Sequence, residues 1–399
     1  MPRSDAHARG LPSRPDLSRP ERVGSLKVLM EGRPVGTLAT TNEGLVAFAY
    51  DEAWLAEGFS ISPISLPLEP QVFLPRPQPL EGMFGVFDDS LPDGWGRLLV
   101  DRMLRKRGIE PAGIDQLTRL AIVGASGMGA LTYEPAFDLG ASRQASDLDA
   151  LADECALILA DRPADNLDEI FALGGSSGGT RPKVLADVGS EPWIVKFPAS
   201  MDAPDAGPME HEYAAAARSC GIEMPETRLF ASNRCSGYFG VRRFDRVAEG
   251  GPSAGHPHRV HMASAGALLE TSHRIPNLDY LLLARLVLRL TDSLGELERL
   301  YRLMCFNVFA HNRDDHAKNF AFTCDPATGI WRLSPAFDLT WSPGMGGEHA
   351  TTVDGKGHDL TSDDLIDCGI RMGLPSRLCR SVAHDVRTAT EALVRKWAR

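Results

Sequence analysis

Between Asn312 and Asn319 the chain reads Asn-Arg-Asp-Asp-His-Ala-Lys-Asn, and a further aspartate, Asp338, follows about twenty residues later. Four residues separate Asp314 from Asn319. Phosphoryl transfer asks little covalent chemistry of a protein: a carboxylate to orient the attacking hydroxyl, and oxygen ligands to hold magnesium on the phosphates. In this spacing Asp314 supplies the base and Asn319 one metal ligand, and Asp338 can reach the same metal. Hard oxygen donors suit magnesium, which leaves its remaining sites to water and phosphate. Asp and Asn also populate ordinary solvated turns. The setting favours a cleft: the polar string lies between an apolar helix, Glu296 to Ala310, and an apolar strand, Phe320 to Thr323, and Asp338 is bracketed by Phe337 and Leu339.

Three upstream features join this string. Lys196 lies in the apolar stretch Trp193-Ile194-Val195-Lys196-Phe197, where its ammonium can meet nucleotide phosphates. A lysine that guards an edge strand would look the same. On the following helix Glu210 and Glu212 compete as its carboxylate partner, the pairing that kinases use. The third feature is the loop Gly174-Gly175-Ser176-Ser177-Gly178-Gly179-Thr180. It fails the P-loop pattern, because Thr180-Arg181 stands where Lys-Ser/Thr would be and a hairpin follows instead of a helix. What remains is a flap whose amides approach phosphates, or a plain linker. His311 and His316 with Asp314 and Asp315 could form a metal-hydrolase cluster, but an offset of five fits one helical face poorly and no H-E-x-x-H occurs. No G-x-S-x-G elbow is present for serine hydrolysis.

The elements that must position these groups follow from periodicity. Leu26 to Met30 and Val35 to Leu38 read as a hairpin around Glu31-Gly32-Arg33-Pro34. Asp93-Gly94-Trp95-Gly96 opens a helix that ends at Gly108, and Ala130 to Tyr133 is a strand. This N-terminal α+β unit shows no catalytic constellation. Helical character returns over Leu148 to Leu159. Lys183 to Val188 and Trp193 to Phe197 form a second hairpin, a helix spans about Pro208 to Cys220, and Gly237 to Phe244 is another strand. After about residue 260 the chain is mainly helical, with helices over Leu278 to Leu290 and Glu296 to Ala310 and a late hairpin around Asp325 to Gly329. The expected organisation is a disordered extension over 1–24, an α+β subdomain over 25–140, a β-rich lobe with the glycine loop over 141–259, and a helical lobe over 260–399.

The 399 residues, 43% hydrophobic and 24% charged, fit a globular protein of two or three domains. A formal net charge of −11 disfavours direct binding of the bulk surface to nucleic acid. Seven scattered cysteines without a C-x-x-C pair read as free thiols in a reducing cytosol. The most apolar run, Leu281 to Leu290, is interrupted by Arg285 and Arg289, so no membrane span is expected. The Arg-, Pro- and Ser-rich start lacks the apolar core of a secretory signal. A cytoplasmic protein is expected.

The chain resembles the HipA family, kinases of bacterial toxin–antitoxin operons, over roughly Leu26 to Leu393. Asp314-Asp315-His316-Ala317-Lys318-Asn319-Phe320 carries the resemblance most specifically, since Asp-x-His-x-x-Asn is shared with that family and, more distantly, with phosphoinositide-kinase-like enzymes. Arg243-Phe244-Asp245-Arg246 is also characteristic, and Trp54-Leu55, Ser65-Leu66-Pro67-Leu68, Leu91-Pro92-Asp93-Gly94 and Gly127-Met128-Gly129-Ala130-Leu131 match the family's first subdomain. The resemblance implies an α+β, protein-kinase-like (PI3K-like) two-lobed fold with an N-terminal α+β subdomain. It implies ATP and Mg2+ as cofactors, Asp314 as base, and Asn319 and Asp338 as metal ligands. Nucleotide contacts are implied for Lys196, Gly178, Gly179, Lys183, Arg242, Phe244, His316 and Lys318, with Arg242 to Phe244 acting as a hinge through its backbone. Ser176 or Ser177 would be the self-inactivating autophosphorylation site, where a dianion in a phosphate-binding flap repels ATP. The implied partners are a HipB-like helix-turn-helix antitoxin, DNA only through that antitoxin, and a protein substrate such as an aminoacyl-tRNA synthetase. Three departures stand out: Met262-Ala263-Ser264-Ala265 is small and apolar where better-known members carry amide and acidic residues, Asp315 follows the base in place of a small residue, and Arg242 replaces a common Glu. Asp315 is expected to add negative charge near the magnesium. Two other readings use the same elements: a catalytically weak kinase-fold scaffold in a repressor complex, and a small-molecule kinase.

Overall fold

The computed structural model describes residues 22–137, 147–174, 178–189, 191–199, 202–247 and 258–397. The expected N-terminal extension, but for its last three residues, and Ser176 and Ser177 lie outside them.

The chain begins with a five-stranded antiparallel sheet in the order Val72–Phe73, Val46–Tyr50, Arg33–Thr40, Ser25–Met30, Leu131–Glu134. Its first hairpin pairs Met30 with Arg33, so the turn shrinks to Glu31 and Gly32, both at positive φ, as a two-residue type I′ turn requires. Pro34, expected in the turn, pairs with Leu29 at a register shift, where a residue without an N–H is tolerated. The helix Gly94–Lys106 buries Trp95, Leu99, Val100, Met103 and Leu104 in the core and packs against the later helix Leu167–Gly174, and it ends in Arg105 and Lys106, which complement the helix dipole.

Beyond the helix Leu148–Leu159 comes a short helix, Leu167–Gly174, that periodicity did not reveal. It runs into the glycine loop, so Gly174 closes a helix and is not itself a loop residue. A four-stranded antiparallel sheet follows, ordered Lys183–Val188, Glu191–Lys196, Tyr238–Arg242, Thr227–Phe230, with the helix Ala206–Ser219 against it. That helix approaches closely at Gly207, where a Cβ would come within 2.2 Å of the Gly237 carbonyl. The C-terminal part joins a three-stranded sheet (His261–Ser264, Ala321–Cys324, Trp331–Leu333) to the helices Tyr280–Thr291, Leu294–Phe309, Ser362–Met372 and Ser376–Trp397.

A single apolar core extends from Leu26 to Leu393, with a small satellite of Ala214, Phe239 and Val241. All seven cysteines are free thiols. Among the described residues no helix is long and apolar enough to cross a membrane.

Candidate active site

Lys196 ends the strand Glu191–Lys196, opposite Lys183 on one neighbour and Phe239 on the other. Its ammonium meets Glu210 Oε1 at 2.5 Å and a carboxylate oxygen of Asp338. The open choice of glutamate is thereby resolved. Glu210 is 3% exposed and faces the lysine, whereas Glu212, two positions on, accepts instead from Lys396 Nζ at 2.6 Å and Trp397 Nε1 at 2.8 Å. Burial works against charge on Lys196, but the two carboxylates outweigh it and hold its pKa above the ordinary lysine value. The Lys196 ammonium in turn holds Asp338 well below the usual carboxylate range, against burial. Asp338 sits at φ 57°, a left-handed conformation that aspartate and asparagine adopt more readily than most residues other than glycine.

Asp314 and Asp338 belong to segments that are stitched together by the backbone. Ser342 donates its amide to the His311 carbonyl at 3.0 Å, and Asn312 and Ser342 form a parallel bridge. Beneath the catalytic string a buried polar chain fixes its path. Asn312 donates to Asn307 (3.0 Å), Asn307 to the Tyr280 hydroxyl (2.9 Å), and Tyr280 to Asp315 Oδ2 (2.9 Å). His349 Nδ1 and the Thr351 amide also contact Asp315, each at 3.2 Å. The Asp315 side chain is fully buried and turned under the loop as an anchor, and from there its charge still reaches Asp314.

Above this anchor Asp314 is exposed to the cleft. Partial desolvation raises its pKa, opposed by His316, and the nearby Asp338 and Asp315 carboxylates add to the rise while Arg181 opposes it. Asn319 donates Nδ2 to the Asp314 carbonyl at 2.6 Å, which leaves its Oδ1 as the acceptor oxygen. His316 accepts from the Lys318 amide at 3.3 Å, and its ring lies 5.4 Å from that of His273. Lys183 is 8% exposed, and burial lowers its pKa to about 8, with Lys196 adding to the shift. Its ammonium donates to the Gly178 carbonyl, so Gly178, Gly179 and Lys183 stand together at one side of the Lys196 cluster.

The side chains of three expected nucleotide contacts, Arg242, Phe244 and Lys318, meet protein partners. The Arg242 guanidinium is turned to Glu191 at 2.9 Å and Glu226 at 3.5 Å, and its amide donates to the Glu226 carbonyl at 2.8 Å, so neither donor is directed to a nucleotide. The Arg243 amide likewise donates to Pro192, while the Phe244 ring stacks 5.7 Å from Phe337. Lys318 is paired with Asp93 at 3.1 Å and Asp88 at 3.5 Å. Arg181 was missed by the sequence reading. It pairs with Asp202 at 3.1 Å and lies 3.8 Å from Glu210, and its position directly after the glycine loop was the available signal.

A two-lobed, kinase-like α+β fold with this cluster at its centre defines the class. The model of the HipA-like C-terminal domain matches residues 175–394 and that of the HipA N-terminal domain matches residues 26–134; the chain belongs to the HipA family. It is 24% identical over 390 residues to the putative kinase Y4dM of Sinorhizobium fredii (strain NBRC 101917 / NGR234), covering 91% of this chain and 90% of that one. Among solved structures it is similar to a chain of the Shewanella oneidensis MR-1 toxin–antitoxin complex of HipA, HipB and operator DNA. That likeness has a TM-score of 0.70 at 17% identity and covers 93% of this chain and 90% of the other.

Proposed function

We propose that this chain is an ATP- and magnesium-dependent protein serine/threonine kinase of the HipA type. The observation that carries the reading is the convergence of Lys196, Glu210 and Asp338 in one cluster, with Asp314 close enough to Asp338 to feel its charge. Lys196 and Glu210 form the buried ion pair that kinases need for phosphate placement. Asn319 and Asp338 offer oxygen donors only, the set that suits magnesium.

Magnesium-bound ATP would supply the transferable phosphoryl group, with its charge partly neutralised by the metal. Asp314 then orients the attacking hydroxyl and accepts its proton, a task eased by the upward shift of its pKa. Lys196 would hold phosphate oxygens with Glu210 keeping its ammonium in place, and Asn319 and Asp338 would hold the metal. Lys183, which donates to the Gly178 carbonyl, stands beside Lys196 on the side of the glycine loop. His316 tempers the charge of Asp314 and Asp338.

The Shewanella protein was solved with HipB and operator DNA. By analogy a HipB-like antitoxin is the proposed partner here, with DNA contacted through it, in keeping with a net charge of −11. The proposed substrate is a protein of the translation machinery such as an aminoacyl-tRNA synthetase, and Ser176 or Ser177 is the proposed autophosphorylation site. Mass spectrometry after incubation with ATP and magnesium tests this: phosphate on Ser176 or Ser177 in the wild type and none in Asp314→Ala is the expected result. Equal phosphorylation of the two proteins would contradict the assignment of the base.

A further inference from the structure

The N-terminal region reaches into the kinase site at one point, Asp93-Gly94-Trp95. Asp93 occupies the N-cap of the helix Gly94–Lys106, yet its side chain makes no capping bond. Four other N-cap aspartates, Asp51, Asp115, Asp147 and Asp279, each accept a first-turn amide of their own helix, while Asp205, like Asp93, does not. The Asp93 carboxylate is directed elsewhere. Oδ1 accepts the Gly179 amide, and Oδ2 lies 3.1 Å from the Lys318 ammonium.

The Gly179 peptide is gripped from its other side as well. Its carbonyl accepts the Trp95 amide at 2.8 Å, so the glycine loop itself caps this helix. Trp95 Nε1 donates to the Lys183 carbonyl at 3.1 Å, which fixes the strand that leaves the loop. Gly94 makes the approach possible: at φ +43° a Cβ there would lie 2.3 Å from the Gly179 carbonyl oxygen. Lys318 stands between Asp314 and Asn319 in sequence and contacts Asp88 too, at 3.5 Å. A continuous path thus runs from the catalytic loop through Lys318 and Asp93 to the backbone of the glycine loop. Burial opposes a charge on Asp93, but Lys318 and the Gly179 amide more than compensate, so the carboxylate stays ionised at neutral pH.

We propose that Asp93 is a positioning residue of the kinase site: shared between the Gly179 amide and the Lys318 ammonium, it ties the glycine loop to the catalytic loop and holds Gly178 and Gly179 in place for the nucleotide phosphates. The inference rests on the kinase reading above and adds to it that the N-terminal region is part of the nucleotide apparatus. A loop rich in glycine has many conformations to lose when it closes on a ligand. A clamp that pre-orders it spares that loss at the moment of binding.

The test uses the full chain with three variants: Asp93→Ala, the near-isosteric Asp93→Asn, and Gly94→Ala, which leaves every charge in place but pushes on the Gly179 carbonyl. Two quantities are measured: the dissociation constant for magnesium-ATP by calorimetry, and amide hydrogen exchange of the peptide across Gly178 to Lys183 in the nucleotide-free protein. The expected result for Asp93→Ala and Gly94→Ala is at least tenfold faster exchange and at least tenfold weaker binding. Asp93→Asn, which keeps an acceptor for Gly179 but loses the charge facing Lys318, should fall between these and wild type. It also decides the matter should the alanine variants fold poorly. Wild-type affinity in Asp93→Asn and Gly94→Ala, whether or not exchange quickens, would overturn the clamp while leaving the kinase reading intact. Failure of the wild type itself to bind magnesium-ATP would overturn the kinase reading and this inference with it.

Discussion

Replacing Lys196 with methionine keeps most of the side-chain volume and removes only the charge. Glu210 is 3% exposed and would lose its cation at 2.5 Å, keeping only the Arg181 guanidinium at 3.8 Å. Breaking a buried pair from one side costs about 3–5 kcal/mol, because the remaining charge stays behind without a partner. Asp338 adds little to that figure: its side chain is 38% exposed, and solvent screening reduces such a pair to about 0–1 kcal/mol. The loss should depend on pH with a definite sign. In the wild type Lys196 holds Asp338 below its ordinary value, so that contribution is present above the unfolded carboxylate pKa and is lost on acidification. In the variant the buried Glu210 carboxylate keeps only the more distant Arg181 and favours its protonated form, so the deficit shrinks as pH falls towards the ordinary carboxylate range. Denaturant unfolding of both proteins at pH 7.5 and pH 5 measures this. A deficit of about 3–5 kcal/mol at the higher pH and a clearly smaller one at the lower is expected. A deficit below about 1 kcal/mol at pH 7.5, the size of an exposed pair, would refute the reasoning.

Other expectations follow from the same cluster. Glu210→Gln should lower phosphoryl transfer strongly, whereas Glu212→Gln, whose partners are Lys396 and Trp397, should leave transfer within about twofold, since an exposed pair contributes little; steady-state kinetics of the two variants separates the roles. Lys183, with its pKa lowered from 10.5 to about 8 by burial, destabilises the nucleotide-free fold by about 3 kcal/mol when charged, and its bond to Gly178 returns about 1 of these. Lys183→Met should therefore raise the unfolding midpoint while weakening magnesium-ATP, and wild-type nucleotide affinity should decline as pH rises through about 8. Asp315→Ala, by leaving Tyr280, His349 and Thr351 around an empty anchor, should cost about 2–4 kcal/mol of stability in thermal unfolding.

The sequence made the site legible where chemistry and spacing coincide. Asp314, Asn319 and Asp338 stood out because a polar string between two apolar elements has few structural uses. Lys196 stood out as a charge in an apolar strand. The choice between Glu210 and Glu212 was beyond reach, since both lie on one helix and only the rotation of that helix, set by Gly207 against Gly237, turns the first inward. The anchoring role of Asp315 was hidden because its partners Tyr280 and His349 lie about 35 residues away on either side in sequence. Asp93 read as an ordinary helix start, and its distance from Gly179 in sequence hid the contact. The helix Leu167–Gly174 was lost against the glycines that follow it. A capping box at Thr361 and Asp364 marked the start of the helix Ser362–Met372, a signal left unused.

The central claim is tested most directly by the transfer of γ-labelled phosphate from magnesium-ATP to protein by wild type and by Asp314→Ala at matched nucleotide saturation. The account predicts label on serine or threonine with the wild type and a loss of at least about a hundredfold in the variant, the scale of a missing general base, with nucleotide affinity retained. Equal transfer by the two proteins would contradict it.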